Sequence, residues 1–84
     1  MTNTNDNSVT IIVDGTPHVV EKRKYELADI VRLEFPEAGP NPEEVYSVIY
    51  YENEHSKEEH PLVHGKPIMV HEGMIFVVSP TGQS

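Results

Sequence analysis

Histidines and acidic residues crowd one stretch of this 84-residue chain. His55, His60 and His64 lie near one another, with Glu58 and Glu59 between the first two. Imidazole and carboxylate groups are common metal ligands, so two of these histidines and one carboxylate could form a zinc site. The spacing differs from the helical HExxH pattern, and the segment predicts a loop, in which a preformed ligand geometry is rare. We therefore expect surface histidines on a polar turn and no metal site.

The residue patterns of common enzymes do not occur in the sequence. It contains no cysteine, which excludes thiolate nucleophiles, thiolate zinc sites and disulfides. No serine stands in a Gly-x-Ser-x-Gly elbow, and neither a P-loop nor a GxGxxG motif is present. The adjacent pairs Glu43-Glu44 and Glu58-Glu59 would point to opposite faces of an extended chain, so they could not act together as acid and base. We expect no enzymatic activity and no cofactor.

One hydrophobic segment, residues 45–51, could bind a protein partner. Apolar side chains occur in both alternations of this predicted strand, so at least one large group should project outward. Exposed tyrosines are frequent anchors of protein interfaces, which makes Ile49, Tyr50 and Tyr51 the candidate partner-binding residues. The alternative is that Tyr50 faces the core, while Ile49 and Tyr51 are covered by the loop at residues 52–67.

The charge balance narrows the classes of partner. Fourteen Asp and Glu against six Lys and Arg give a formal net charge of −8. Duplex DNA and anionic membranes need clustered Lys and Arg, so neither nucleic acid nor membrane is expected as a partner. A basic protein surface is compatible with the charge. No apolar run is long enough for a membrane span and the N-terminus does not resemble a signal peptide, so we expect a cytoplasmic protein.

The first third of the chain predicts a β-hairpin followed by one helix. Asp14-Gly15 lies between two segments rich in β-branched residues, which predicts strands over residues 8–13 and 17–22 joined by a tight turn. Pro17 cannot donate to a ladder and should begin a strand or lie on an edge. Residues 25–35 then change to an i, i+3, i+4 apolar period, which indicates an amphipathic helix.

The remaining sequence predicts two or three strands. Residues 45–51, 68–70 and 74–78 have strand composition, with Met74, Phe76 and Val78 on one face of the last. The chain is short enough for one domain. We expect a disordered arm at residues 1–7, the folded domain at residues 8–78 and a flexible C-terminal tail at residues 79–84.

One amphipathic helix can cover one face of one sheet, so the order of elements limits the fold. The economical solution is an α+β fold of the β-grasp type, with a mixed four- to five-stranded sheet covering one helix. In such a sheet the last strand commonly pairs with the first, at the centre.

Four segments resemble the bacterial multi-ubiquitin family of ubiquitin-like proteins. The most specific is the Glu-Gly-Met-x-Phe-x-Val ending at residues 72–78, and the resemblance covers roughly residues 8–82. The other segments are the hairpin, the helix and the tyrosine-bearing strand, at residues 11–15, 27–31 and 46–51. The resemblance implies a ubiquitin-like β-grasp fold and a protein modifier. It also implies three partners, namely a ubiquitin-activating-like enzyme, a conjugating-enzyme-like protein and a JAB-type metalloprotease, and some of these systems act in phage defence.

The C-terminus is the site that this resemblance assigns. A modifier must present its carboxylate in a narrow adenylation channel and then to a thiol, and a residue without a Cβ permits that close approach. Gly82 is the expected conjugation residue, after a protease cleaves between Gly82 and Gln83 and removes Gln83-Ser84. Thr81-Gly82 replaces the double glycine of ubiquitin.

Two other functions remain open from the sequence. The chain could be a non-conjugated β-grasp interaction module that binds through its tyrosine-bearing sheet, or an acidic mimic of nucleic acid that inhibits a DNA-binding protein. The sequence also leaves self-association open.

Overall fold

The computed structural model describes residues 7–81, which form a five-stranded sheet, a two-stranded sheet and one α-helix. The elements are, in order, β1 Ser8–Val13, β2 Thr16–Glu21, β3 Lys24–Tyr25, α1 Leu27–Glu34, a 3₁₀ helix Pro42–Glu44, β4 Tyr46–Tyr51, β5 His60–Pro61, β6 Ile68–Met69 and β7 Ile75–Pro80. Within residues 7–81, no helix has the length and apolar composition that crossing a bilayer requires.

The five-stranded sheet has the order β2-β1-β7-β4-β5. β1 and β7 are parallel neighbours at its centre, with Ile12 opposite Ile75 and Val13 opposite Phe76. The other pairs in this sheet are antiparallel. Together with the helix on one face, this topology is the ubiquitin-like β-grasp that the sequence predicts, including the pairing of the first and last strands.

The hairpin forms at Asp14-Gly15 as predicted, although β2 begins and ends one residue earlier than expected, at Thr16 and Glu21. Both turn residues have positive φ, 51° and 83°, the conformation in which a two-residue turn matches the twist of its strands. β2 is an edge strand, which is where Pro17 was expected.

The helix is shorter than the predicted range 25–35, because the residues before it belong to another strand. Tyr25 lies in β3, opposite Ile68 of β6, and its buried ring places the hydroxyl 2.9 Å from the Glu21 carbonyl oxygen, to which it donates. The helix therefore begins at Leu27, where the Asp29 carboxylate accepts a hydrogen bond of 3.0 Å from the Glu26 N–H. This contact satisfies a donor that a helix N-terminus otherwise leaves unpaired.

The core lies between the helix and the inner face of the sheet. The side chains at its centre are fully or almost fully buried. Met74, Phe76 and Val78 are all buried, which confirms the prediction that they share one face of the last strand. The remaining buried hydrophobic residues come from nearly every element: Val9, Ile11, Val13, Tyr25, Leu27, Ile30, Val31, Val48, Leu62 and Val70.

The turn between β1 and β2 also holds the last strand. β1 ends at Val13, so β7 loses its neighbour on that side after Phe76. The Asp14 N–H donates to the Phe76 carbonyl oxygen at 2.9 Å, and the Asp14 Oδ1 accepts from the Val78 N–H at 2.9 Å. The Asp14 side chain thus continues the ladder by one hydrogen bond and ties the hairpin to β7.

We expect Asp14→Ala to lower the free energy of unfolding by about 1–3 kcal/mol, because the partly buried Val78 N–H loses its acceptor and alanine disfavours the positive φ. Urea denaturation measures the change. Asp14→Asn keeps both an acceptor oxygen and tolerance of this backbone conformation, so it should retain most of the stability. An asparagine variant as unstable as the alanine variant would contradict this role of the side chain.

Candidate functional site

The end of β7 determines where the C-terminal residues leave the fold. The strand continues to Pro80, two residues beyond the predicted end at Val78, because Ser47 and Tyr46 of β4 lie opposite Ser79 and Pro80. The predicted C-terminal tail, residues 79–84, therefore overlaps β7 at Ser79 and Pro80. The predictions for Gly82, for the cleavage site at Gln83 and for residues 1–6 concern parts of the chain outside the described residues.

Thr81 is the last residue described, and it still contacts the sheet. Its N–H donates to the Val45 carbonyl oxygen at 2.7 Å, and its hydroxyl donates to the same oxygen at 3.1 Å. Ser79, Pro80 and Thr81 are nevertheless exposed. The pairing with the sheet therefore fixes the direction of the exposed backbone at Thr81, the residue before Gly82.

At the other terminus, Asn7 is the first residue described, and the predicted disordered arm at residues 1–7 included it. The carbonyl oxygen of Asn7 accepts a hydrogen bond of 2.6 Å from the Lys22 N–H, so Asn7 continues the pairing of the hairpin.

The sheet face opposite the helix carries five half-buried apolar side chains, which we call the outer face: Ile12, Ile49, Tyr51, Ile75 and Val77. They are cross-strand neighbours, since Ile75 lies opposite both Ile12 and Tyr51, while Val77 lies opposite Ile49. Neighbouring side chains of this kind form one continuous surface across three strands.

The three predicted partner-binding residues do not share one surface. Ile49 and Tyr51 lie on the outer face, whereas the alternation of the strand turns Tyr50 toward the core. The Tyr50 ring lies 5.9 Å from the ring of Phe76 and stacks on His60 at 5.2 Å between centroids. Tyr50 is therefore a packing residue on the inner side, as the alternative interpretation of this strand proposed.

The segment after β4 contacts the outer face at Tyr51. The Tyr51 hydroxyl donates to the Glu59 Oε2 at 3.1 Å. Desolvation raises the pKa of Tyr51 above its ordinary value of 10.0, and the hydrogen bond to Glu59 and the negative charge of that carboxylate raise it further. The neutral phenol is thus the form that the folded chain favours, so this contact stabilises the fold below pH 10 and is lost as the pH rises through the folded-state pKa.

We expect Glu59→Gln to move the pKa of Tyr51 down toward 10.0, because the substitution removes the carboxylate charge that opposes the phenolate. An NMR titration of the tyrosine ring carbons measures this. Glu58→Gln removes an equal charge from the neighbouring position and should leave the Tyr51 titration in place. An unchanged pKa in Glu59→Gln would show that the segment does not contact the outer face.

The histidines are distributed over the fold, and most of them face a glutamate. His18 Nε2 lies 3.1 Å from the Glu34 Oε1, and His71 Nε2 lies 2.8 Å from the Glu52 Oε1. The three histidines singled out in the sequence do not converge: His60 stacks on Tyr50, while His55 and His64 lie beside different glutamates. Among residues 7–81, no three His, Cys, Asp or Glu side chains are grouped so that they could hold a metal ion.

The sequence model of the multiubiquitin family matches residues 9–82. The chain belongs to the multiubiquitin family. The resemblance drawn from the hairpin, the helix and the last strand is thereby confirmed, and the matched region ends at Gly82. No curated protein and no solved structure shows a significant match to the chain.

Two side chains of this multiubiquitin chain have structural roles that the sequence analysis missed. Asp14-Gly15 indicated a turn, but the hydrogen bond from Val78 to the Asp14 carboxylate depends on the parallel pairing of β1 with β7. The hydrogen bond of 2.9 Å from the Thr10 N–H to the Glu72 carboxylate also depends on this pairing. A carboxylate that follows or precedes a strand is common, so no local signal distinguishes these two.

Proposed function

We propose that this chain is the precursor of a ubiquitin-like protein modifier that is conjugated through the carboxylate of Gly82. A partner protease first removes Gln83 and Ser84. ATP and the reactive cysteine come from partners of the activating-enzyme and conjugating-enzyme type, and the protease is of the JAB metalloprotease type. The chain itself contributes a recognisable fold and a terminal glycine, with no catalytic activity of its own.

The observation that carries this proposal is the path of β7. The strand is fixed in the sheet through Pro80, its last described residues are exposed, and Gly82 follows directly. A carboxylate that enters a narrow adenylation channel must stand at the end of an accessible extended backbone, and a glycine permits the closest approach. The family match ending at Gly82 is consistent with a boundary at that residue.

Thr81 adds a requirement for the activating enzyme. Its hydroxyl and its N–H both donate to the Val45 carbonyl oxygen. Ubiquitin has a glycine in place of this threonine, and that glycine has no side chain. The enzyme must either recognise Thr81 in place on the sheet or break these two contacts. Because exposed hydrogen bonds contribute only about 0.5–1.5 kcal/mol each, both routes lie within the binding energy of an ordinary protein interface.

The charge of the chain favours this type of partner. A net charge of −8 suits docking onto a basic enzyme surface. The attraction between opposite charges accelerates association at low salt. A role in phage defence, in the cytoplasm of a bacterial host, is the setting that the family suggests.

The test is co-expression of the chain with a JAB-type protease, an activating enzyme and a conjugating enzyme of the proposed types, followed by intact-mass and peptide mass spectrometry. We expect loss of Gln83-Ser84 and a covalent bond between the Gly82 carboxyl and an amine of a target. A chain ending at Gly82 should conjugate without the protease, whereas a chain ending at Thr81 should not conjugate at all. An intact Gln83-Ser84 terminus with no adduct at Gly82 would overturn the proposal.

The outer face supports a second function, that of a non-conjugated interaction module. Its apolar side chains cross three strands, and among the described residues no helix covers them. Continuous apolar surfaces of this kind are typical of protein-binding sites. The two functions differ in their dependence on the C-terminus, since an interaction module does not need a reactive carboxylate.

A chain ending at Thr81 separates the two functions, because it preserves all of β7. An interaction module should keep its partners in this truncation and lose them in Ile49→Glu, which places a charge on the outer face without altering the core. Quantitative mass spectrometry of co-purified proteins compares both variants with the intact chain. Loss of the same partners on truncation alone would contradict the second function.

A further inference from the structure

A pocket of about 390 Å³ lies on the outer side of the sheet, at the end opposite Thr81. Its floor is formed by Thr10 and Ile12 of β1 and Ile75 of β7, and its rim includes Glu54 and Glu72 from two turns. The volume falls within the usual range of binding pockets. It is a substantial concavity for a chain of 84 residues.

The apolar floor follows from the central pairing of the sheet. Ile12 and Ile75 are opposite each other in the parallel ladder, and both are half-buried on the outer face. Their exposed parts therefore form a small hydrophobic area at the bottom of an open pocket. Such an area is stabilised when an apolar group excludes water from it.

One of the two carboxylates is held in position by the backbone. β7 begins only at Ile75, so the Thr10 N–H has no partner strand on that side, and the Glu72 Oε1 accepts from it at 2.9 Å. The Gly73 N–H donates in turn to the Thr10 carbonyl oxygen at 2.8 Å. The turn at residues 72–73 is thus fixed against β1, which fixes the Glu72 carboxylate at the rim.

The second carboxylate, Glu54, is on the turn after β4 and is also exposed. Its Oε2 lies 3.6 Å from His55 Nε2, and both side chains are largely exposed. The pocket therefore combines an apolar floor with two carboxylates, and Asn53 and His55 also line it. An anionic ligand would be repelled, and a wholly apolar ligand would desolvate the carboxylates without a compensating partner.

We propose that this pocket binds an arginine or lysine side chain presented by a basic segment of a protein partner. These side chains have an aliphatic stem and a charged end, so the stem can cover Ile12 and Ile75 while the cation reaches Glu54 and Glu72. The net charge of −8 attracts such a segment before contact.

This docking site is separate from the proposed conjugation site. Five residues of β7 lie between Ile75, at the pocket, and Thr81, so six steps of about 3.3 Å place Thr81 roughly 20 Å from the pocket. A partner could therefore occupy the pocket while another protein binds the C-terminus. The inference does not depend on conjugation.

The test is an NMR titration of the isotopically labelled chain with an acetylated and amidated pentapeptide of glycines with arginines at its second and fourth positions. We expect saturable shifts of the amides of Thr10, Ile12, Gly73 and Ile75. The same peptide with citrulline in place of arginine keeps the shape but removes the charge, and it should bind at least about fivefold more weakly, as expected for the loss of exposed charge pairs.

Matched variants identify the carboxylates responsible. Glu54→Gln combined with Glu72→Gln should weaken binding of the arginine peptide about fivefold, while the amide oxygen of Gln can still accept from the Thr10 N–H. Glu37→Gln combined with Glu58→Gln removes the same two charges elsewhere and should weaken it by much less. Equal binding of the citrulline peptide, shifts spread over the whole surface, or equal weakening in both double variants would overturn the proposal. None of these results involves Gly82, so they leave the conjugation proposal to its own test.

Discussion

The parallel pairing of β1 with β7 is the constraint on which the rest of the structure depends. It joins the first and last strands, so the loop that it closes includes most of the described chain, and closing this loop costs conformational entropy. Only two residue pairs lie in register, which makes the ladder itself a small source of stability. The compensation comes from side chains, since Ile11, Val13 and Phe76, beside this ladder, are completely buried. The complete core therefore requires both the first and the last strand.

The shortness of this ladder explains two carboxylates that otherwise look unrelated. A parallel pair that begins at Ile12 and ends at Phe76 leaves backbone donors without partners on either side. The Glu72 carboxylate accepts from Thr10 before the ladder, and the Asp14 carboxylate accepts from Val78 after it. Unpaired backbone donors are costly when they are shielded from water, so these side chains complete the central pairing. One of them also lies at the rim of the pocket.

The elements with strong local signals could be predicted from the sequence. Asp14-Gly15 requires a tight turn, and the alternation of Met74, Phe76 and Val78 defines an inner face. The apolar segment at residues 68–70 did predict β6, which is one residue shorter. The two-residue strands β3 and β5 could not be predicted, because so short a strand has no period and exists only through its partner. The same reason explains why Ser79 and Pro80 belong to the sheet and Thr81 contacts it. Small residues and a proline predict a free tail, but residues 45–47, which neighbour them in space, provide the pairing.

The candidate sites show the same division between local and long-range information. Gly82 is predicted from the family resemblance, whereas the pocket is formed by residues from β1, β7 and the turns after β4 and before β7, which no sequence pattern connects. Their separation along one central strand links the two proposals. Because β7 is held by β1 and β4, its two ends keep a fixed relation, and a protein docked at the first end would be positioned relative to Thr81 beyond the second. A single short strand can thus coordinate recognition of the fold with presentation of its terminus.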